Sequence, residues 1–377
     1  MKNKNKIAIN NSKPFNTGMG KISECNLQGD PHACKVVNIN LGDKAVPMFL
    51  GTNSNFTADY FTDAVDKMLF QRIVGLALKK GLKYNEEGMF IPMRFSLREI
   101  LGEITKRDLA ASYLSSVDEI KARILALRKI DVFIDTERRI LDENGKIKGT
   151  FKKEECPVLL NASYTKITET KEYKGKTYEQ GYISLFEFPK LWAINEQCES
   201  EILYFSKELF DFKTITDKTG DLKYIPARES LLYQALKECI VKRIANSKNF
   251  LKSKNLIKAS KKGYYKLPVE KTGKTKWEEN RRINYISLLN ELGICDSAGE
   301  LRGRYKEYAK RRFLETLKAD IAGILAALKT KGFIDDYYEY KTVSASSKRS
   351  NFAGWVVDPS VNYDELYNGK AIVDAEI

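Results

Sequence analysis

Residues 301–312 read LRGRYKEYAKRR, a stretch with the side chains of an anion reader. Arg302, Arg304, Lys306, Lys310, Arg311 and Arg312 stand against one acid, Glu307, with Tyr305 and Tyr308 interleaved. A guanidinium is a planar fork that pairs with O6 and N7 of guanine, and a tyrosine packs on sugars or donates to phosphates. Phe313, Leu317, Ile321, Ile324 and Leu328 keep a helical period, so Lys310, Arg311 and Arg312 fall in the first turn of a helix. Cations there oppose the helix dipole, at a cost on the order of 0.3–1 kcal/mol. A polyanionic partner offsets that cost.

Covalent and metal chemistry find little to work with. The sole histidine is His32, in a polar N-terminal stretch, and a Ser-His-Asp or Cys-His site would have to bring it onto the body of the protein. Cys25, His32 and Cys34 offer three zinc ligands at a spacing that fits no common site, and no fourth is evident. Gly273-Lys274-Thr275 resembles the tail of a phosphate-binding loop, but Pro268 occupies the place of the leading glycine. Asp335 and Asp336 sit at a helix-to-strand exit, as Asp135 does, which reads as a turn role. The expectation is a binding protein with no catalytic residues, no metal and no cofactor.

The elements that must position the basic stretch occur twice. Residues 122–135, ARILALRKIDVFID, are echoed by 322–335, AGILAALKTKGFID. Ala122, Ile124, Leu125, Ala126, Lys129, Phe133, Ile134 and Asp135 recur as Ala322, Ile324, Leu325, Ala326, Lys329, Phe333, Ile334 and Asp335, where chance would give about one match. In the first copy a helical pattern starts near Thr57 and stops at Gly81. Ser96 and Glu99 form a capping box before a short helix carrying Leu97, Ile100, Leu101 and Ile104. A longer helix reaches Lys129 with Val117, Ile120, Ile124 and Leu127 on one face. A hairpin turning at Asn144-Gly145 follows, then a second between residues 158–170 and 181–188. In the second copy a helix runs from Pro226 to Ile244, a short one spans 284–292, and the long one ends at the C-cap glycine Gly332. A strand from Phe333 to Val343, a polar tip at 344–351 and a return over 352–357 complete it. Helix, short helix, long helix and hairpin is the order of a winged helix-turn-helix. The expected fold class is α+β, with tandem winged helix-turn-helix domains related by the internal repeat.

The totals fit. The chain has 377 residues, 43% hydrophobic and 30% charged, with 64 Lys and Arg against 50 Asp and Glu. That length allows two or three domains with their own cores. The divisions expected are a mobile arm at 1–56 (with a strand near 35–41), a first domain at 57–210, a second at 211–358 and an acidic tail at 359–377. A net charge of +14 favours a polyanion. Residues 241–276, an insertion in the second copy, are crowded with lysine and hold one acid, Glu270. No signal peptide and no membrane span is evident, and six cysteines without a C-x-x-C pair suggest reduced thiols in a cytoplasm. The first copy's DNA-facing candidates are Lys106 and Arg107 in the turn, and Arg138, Arg139, Lys146, Lys148, Lys152 and Lys153 in the wing. The second wing supplies Lys341, Lys348 and Arg349.

Three blocks carry a family resemblance. Residues 93–130, residues 159–192 (ending FEFPKLW) and residues 228–243 (RESLLYQALKECIVKR) are joined by the basic stretch at 304–328. The chain resembles, over roughly 57–358, the plasmid replication initiators built from two winged-helix domains that bind short direct repeats, iterons, at an origin. The resemblance implies Arg304, Lys310, Arg311 and Arg312 as base readers and Lys106 and Arg107 as phosphate contacts. It also implies double-stranded DNA as partner, opening of an adjacent AT-rich region, recruitment of host initiator and replicative helicase, and a homodimer that represses its own gene. The rival readings are a transcriptional or partition regulator of the same architecture, an enzyme on nucleic acid such as a primase or nuclease, and a phage replication protein.

Overall fold

The computed structural model describes residues 6–10, 35–41, 44–52, 63–97, 99–100, 113–128, 130–134, 137–141, 147–152, 160–173, 176–189, 202–210, 215–216, 222–223, 231–261, 263–266, 281–343 and 350–362. In chain order they form β1 (Lys6–Asn10), β2 (Lys35–Leu41), β3 (Lys44–Thr52), α1 (Ala64–Lys80), β4 (Met93–Ser96), α2 (Tyr113–Leu127), β5 (Ile130–Ile134), β6 (Glu137–Leu141) and β7 (Ile147–Lys152). Then come β8 (Ala162–Tyr173), β9 (Lys176–Leu185), β10 (Ile202–Ser206), the short β11 (Ile215–Thr216) and β12 (Leu222–Lys223), and α3 (Leu231–Ser253). The chain closes with β13 (Ile257–Ser260), β14 (Gly263–Lys266), β15 (Arg282–Asn284), α4 (Tyr285–Glu291), α5 (Lys310–Thr330), β16 (Ile334–Val343) and β17 (Ser350–Pro359). Helix and antiparallel sheet are mixed throughout, an α+β protein.

Two compact units divide the chain. The C-terminal unit comprises Met1–Ile9, Asp63–Met68 and Leu203–Asn368; the N-terminal unit comprises Asn10–Thr62, Leu69–Ile202 and Gly369–Ile377. Residues 1–56, expected as an arm, supply β1, β2 and β3. The expected strand at 35–41 is present as β2.

In the C-terminal unit the sheet order is β15-β17-β16. The short first strand pairs with the last: Arg282 opposes Val356, Ile283 opposes Trp355 and Asn284 opposes Gly354. The long hairpin runs from the Ile334–Pro359 pair to the Val343–Ser350 pair. Leu317, Ile321, Ile324, Leu325 and Leu328 repeat at three- and four-residue steps along α5, so one stripe of that helix is buried. It packs with Leu236 and Ile240 of α3, Leu288 and Leu289 of α4, Phe333 and Trp355. Ile7 and Ile9 of β1 enter the same core. Gly354 has φ +153, and a Cβ there would stand 2.0 Å from the Ile283 carbonyl oxygen, so only glycine lets β15 lie this close to β17. Gly332, at φ +72, ends α5 where the sequence placed its cap.

In the N-terminal unit β4, β9 and β8 form an antiparallel sheet in that order, β2, β3 and β5 a second, and β6 and β7 a third. Phe95, Leu97, Ile100, Ile120, Ile124, Leu127, Ile183 and Leu185 are buried. The capping box forms as read: Glu99 N donates to Ser96 Oγ at 3.1 Å, and Ser96 N donates to Glu99 Oε2 at 2.7 Å.

In each unit a short strand pairs with the second strand of a later antiparallel hairpin, β15 with β17 and β4 with β9. The basic hairpin expected over 138–153 forms β6–β7, a two-stranded sheet, whereas β8–β9 is the hairpin that pairs with β4. The repeated segment diverges at its end. Ile334 opens β16 against β17, whereas β5 turns to β3, with Phe133 opposite Phe49 and Ile134 opposite Met48. The helix of the second copy also runs on from the expected Ile244 to Ser253.

Candidate nucleic-acid interface

The basic stretch of residues 301–312 folds as a tethered turn followed by the start of α5. Gly303–Glu307 make a 3-10 turn, and Ala309, which has no side chain to cap with, precedes α5. The first turn of α5 holds no acid, and its N–H groups receive no side-chain cap. Four N–H groups at a helix start lack helical partners, so this end carries partial positive charge beneath three cations. Lys310, Arg311 and Arg312 are exposed. Lys310 pairs with Glu300, and Arg311, 92% exposed, pairs with Glu315 at 3.1 Å. Exposed pairs of this kind are worth little and are readily exchanged for another anion. No ion pair of Arg312 occurs among the described residues.

Tyr305, read from the sequence as a contact for sugar or phosphate, is turned inward. It is 4% exposed, and its hydroxyl donates to Asp63 Oδ2 at 2.8 Å. Asp63 itself caps α1: its Oδ1 accepts from the N–H of Val65 at 2.9 Å and of Asp66 at 3.1 Å, while Asp66 Oδ2 accepts from Asp63 N–H at 3.0 Å. The Tyr305 ring stacks on Phe313 (5.7 Å, 18°), and Phe313 stacks on Tyr308 (4.7 Å, 14°). Tyr305 is therefore the anchor of the turn, and Tyr308, 55% exposed, is the outward ring. Arg304 keeps its Nε 3.8 Å from the same Asp63 oxygen and is partly committed to the protein. Arg302 is half-buried and Lys306 exposed.

Beneath this surface α4 is fixed on both sides. Asn284 Oδ1 caps it by accepting from Ser287 N–H at 2.9 Å, and the Tyr285 hydroxyl donates to the Leu314 carbonyl of α5 at 2.5 Å. At the far end Glu291 accepts from Lys242 at 3.1 Å and from Arg243 at 2.6 Å. Burial opposes ionisation of Glu291, but Lys242, Arg243 and Lys67 more than reverse it and hold the carboxyl well below the usual range. The same crowding acts the other way on Lys67, where burial first and the charge of Lys242 second bring its pKa down to about 8.

The remaining candidates separate. Lys341 is exposed on β16. Arg138 and Arg139 lie on β6, opposite Phe151 and Thr150, in the two-stranded sheet β6–β7. Lys106, Arg107, Lys348 and Arg349 lie outside the described residues, as do Lys146, Lys153, His32, Cys25, Cys34 and Gly273-Lys274-Thr275. Sequence reasoning missed Asp63, although Asp63 and Asp66 at capping spacing just before an apolar helix were a usable signal. It also missed Glu291, for which no local pattern exists.

Among the described residues no cluster of three or more His, Cys, Asp or Glu is placed to hold a metal ion, and no helix is long and apolar enough to cross a membrane. No known protein family and no curated protein matches the chain. Among solved structures it is similar to domains 2 and 3 of RctB, in a selenomethionine crystal form, with a TM-score of 0.36 and 11% identity over 91% of this chain and 98% of that one. A second structure of RctB domains 2–3 gives a TM-score of 0.36 and 12% identity, covering 90% of this chain and 96% of that one.

Proposed function

We propose that the protein binds double-stranded DNA in a sequence-specific manner and initiates replication of a plasmid or phage by occupying direct repeats at an origin and promoting its opening. It does so without catalytic residues of its own, in the cytoplasm. The observation that carries this reading is the start of α5: an uncapped helix end under Lys310, Arg311 and Arg312, held by a buried tyrosine–carboxylate bond just upstream. In the winged-helix reading, α3, β15, α4, α5, β16 and β17 are the helix, strand, helix, recognition helix and wing strands in order, and β4, α2, β8 and β9 are their first-copy counterparts. The order β15-β17-β16, with the same order β4-β9-β8, supports that reading.

A recognition helix presents its N-terminal residues to base edges in the major groove. Arg311 and Arg312 are the side chains for guanine, Lys310, Lys306 and Lys341 for phosphates, and Tyr308 for a sugar. Two such units on one chain raise the local concentration for the second contact. Tandem repeats one helical turn apart, about 34–36 Å, would then be favoured over isolated sites. Host initiator and replicative helicase are the partners this role requires, and a homodimer would serve repression.

Binding of the full chain to the DNA flanking its own gene tests the proposal. Arg312→Ala should cost about 1–3 kcal/mol on the cognate site and far less on random duplex, whereas Lys341→Ala should weaken both alike. Parallel losses for Arg312→Ala on cognate and random DNA would remove α5 from the reading. Protection of one inverted repeat, in place of tandem direct repeats, would favour a transcriptional regulator.

A further inference from the structure

We infer that the lysine-crowded insertion of the second copy is a phosphate-contacting hairpin, a surface of the C-terminal unit for the backbone of duplex DNA. The inference rests on the reading of the chain as a DNA binder, and it names where contacts beyond α5 are made. α3 runs into the insertion as far as Ser253, and β13 and β14 then form an antiparallel hairpin. Lys252, Lys254, Lys258 and Lys261 are exposed along this stretch, and residues 241–266 hold no acid. None of these four lysines has an ion pair among the described residues. Lys252 also suits the negative end of α3, but Lys258 and Lys261 lie on the strand and in the turn, where no helix dipole favours them.

The backbone that carries these lysines is fixed at both ends. Asn255, with φ 54, takes the left-handed turn that ends α3, and Leu256 N–H donates to the Leu251 carbonyl at 3.0 Å. Lys258 then opposes Tyr265, and Ala259 opposes Tyr264. On the returning strand Lys266 reaches Asp335 and Asp358, each at 2.7 Å, which pins β14 to β16 and β17. Tyr264 N–H donates to Asn362 Oδ1 at 2.7 Å. Asp335 and Asp358 thus meet Lys266 at the base of the hairpin and leave the outer lysines to an external anion. An ammonium is a point charge on a long stem, suited to a phosphate more than to a base edge. A duplex offers one charge per about 1.7 Å of its axis, which serves lysines spread over a helix end, a strand and a turn. A lipid surface would call for aliphatic side chains beside the lysines. The exposed large apolar side chain of this hairpin is instead Tyr264, a ring suited to packing on a sugar.

The full chain is titrated by fluorescence anisotropy, across a salt series, with the duplex flanking its own gene and with a random duplex. The double variant Lys258→Gln, Lys261→Gln removes two exposed charges and leaves the core intact, which an unchanged melting curve by circular dichroism checks. Each phosphate contact contributes about 0.9 to the slope of log K against log salt, so this variant should lower the slope by about 1.8. Both duplexes should bind about tenfold or more weakly at roughly 100 mM salt, with the ratio between them unchanged. Lys258→Arg, Lys261→Arg, which keeps the charges, should restore the parent slope. Arg312→Ala reads the other contact, because it lowers the ratio between the duplexes. A reduced slope in a chain that shows no preference for either duplex keeps the inference and removes the reading of α5. An unchanged slope in a chain that keeps its preference overturns the inference and leaves that reading. A parent that binds no duplex overturns both, and a loss seen on duplex RNA but not on duplex DNA overturns the assignment to DNA.

Discussion

Tyr305→Phe isolates the bond that holds the turn before α5. The substitution deletes one oxygen and leaves the ring stack on Phe313 in place, so no packing is lost. Asp63 keeps the two backbone donors on Oδ1, and its Oδ2 loses the phenol, while Arg304 stands 3.8 Å away, beyond hydrogen-bond range. Both partners are buried, at 4% and 5% exposure, and water cannot readily replace the phenol. A hydrogen bond to a charged group contributes about 1.5–3 kcal/mol, so a loss near 2 kcal/mol is expected. For a unit of this size that lowers its melting temperature by about 4–8 °C. Urea unfolding followed by circular dichroism measures the loss, and hydrogen exchange at the amides of Val65 and Asp66 assigns it to this unit. The double-mutant cycle with Asp63→Asn, which keeps an acceptor for the cap, should give a coupling above about 1 kcal/mol. A loss below about 0.5 kcal/mol, or additive single mutants, would show that the bond does not hold the turn, and with it would go the account of Tyr305 as an anchor.

Other outcomes follow from the same structure. Lys67 has a folded pKa of about 8 against an ordinary 10.5, so between those values the unfolded chain binds more protons and stability rises with pH. Lys67→Met should therefore be most stabilising, relative to the parent, below pH 8, and the difference should shrink as pH climbs toward 10.5; a difference that is flat with pH refutes the burial of this charge. Gly354→Ala places a Cβ 2.0 Å from the Ile283 carbonyl oxygen and should cost at least about 3 kcal/mol by prising β15 from β17, seen as loss of exchange protection in β15. Gly332→Ala, with nothing within 4 Å of its Cβ, carries only the positive-φ strain and should cost about 1 kcal/mol by the same assay.

How much could be read in advance depended on range. The capping box at Ser96 and Glu99, the cap glycine Gly332, the stripe from Leu317 to Leu328 and the cationic start of α5 were all legible, because each is decided within one or two helical turns. The repeat at 122–135 and 322–335 falls on the end of α2 and on β5 in one copy, and on α5 and the start of β16 in the other. Which hairpin joins which sheet was not legible, because strand partnership is a distant choice. Residues after Ile130 join β3, and the hairpin completing the sheet begins at Ala162. Neither the alternation of β6–β7 nor that of β8–β9 records which edge it meets.

Tyr305 shows the same division at a single residue. Sequence determined that a basic, tyrosine-containing turn would precede a helix with three cations in its first turn, since local charge and apolar period suffice for that. Only the tertiary structure decided which tyrosine faces outward, because Asp63, 242 positions away, takes the hydroxyl of Tyr305 and leaves Tyr308 exposed. Short-range propensity acts within a turn of helix, whereas burial and ion pairing depend on which distant segments the core brings into contact.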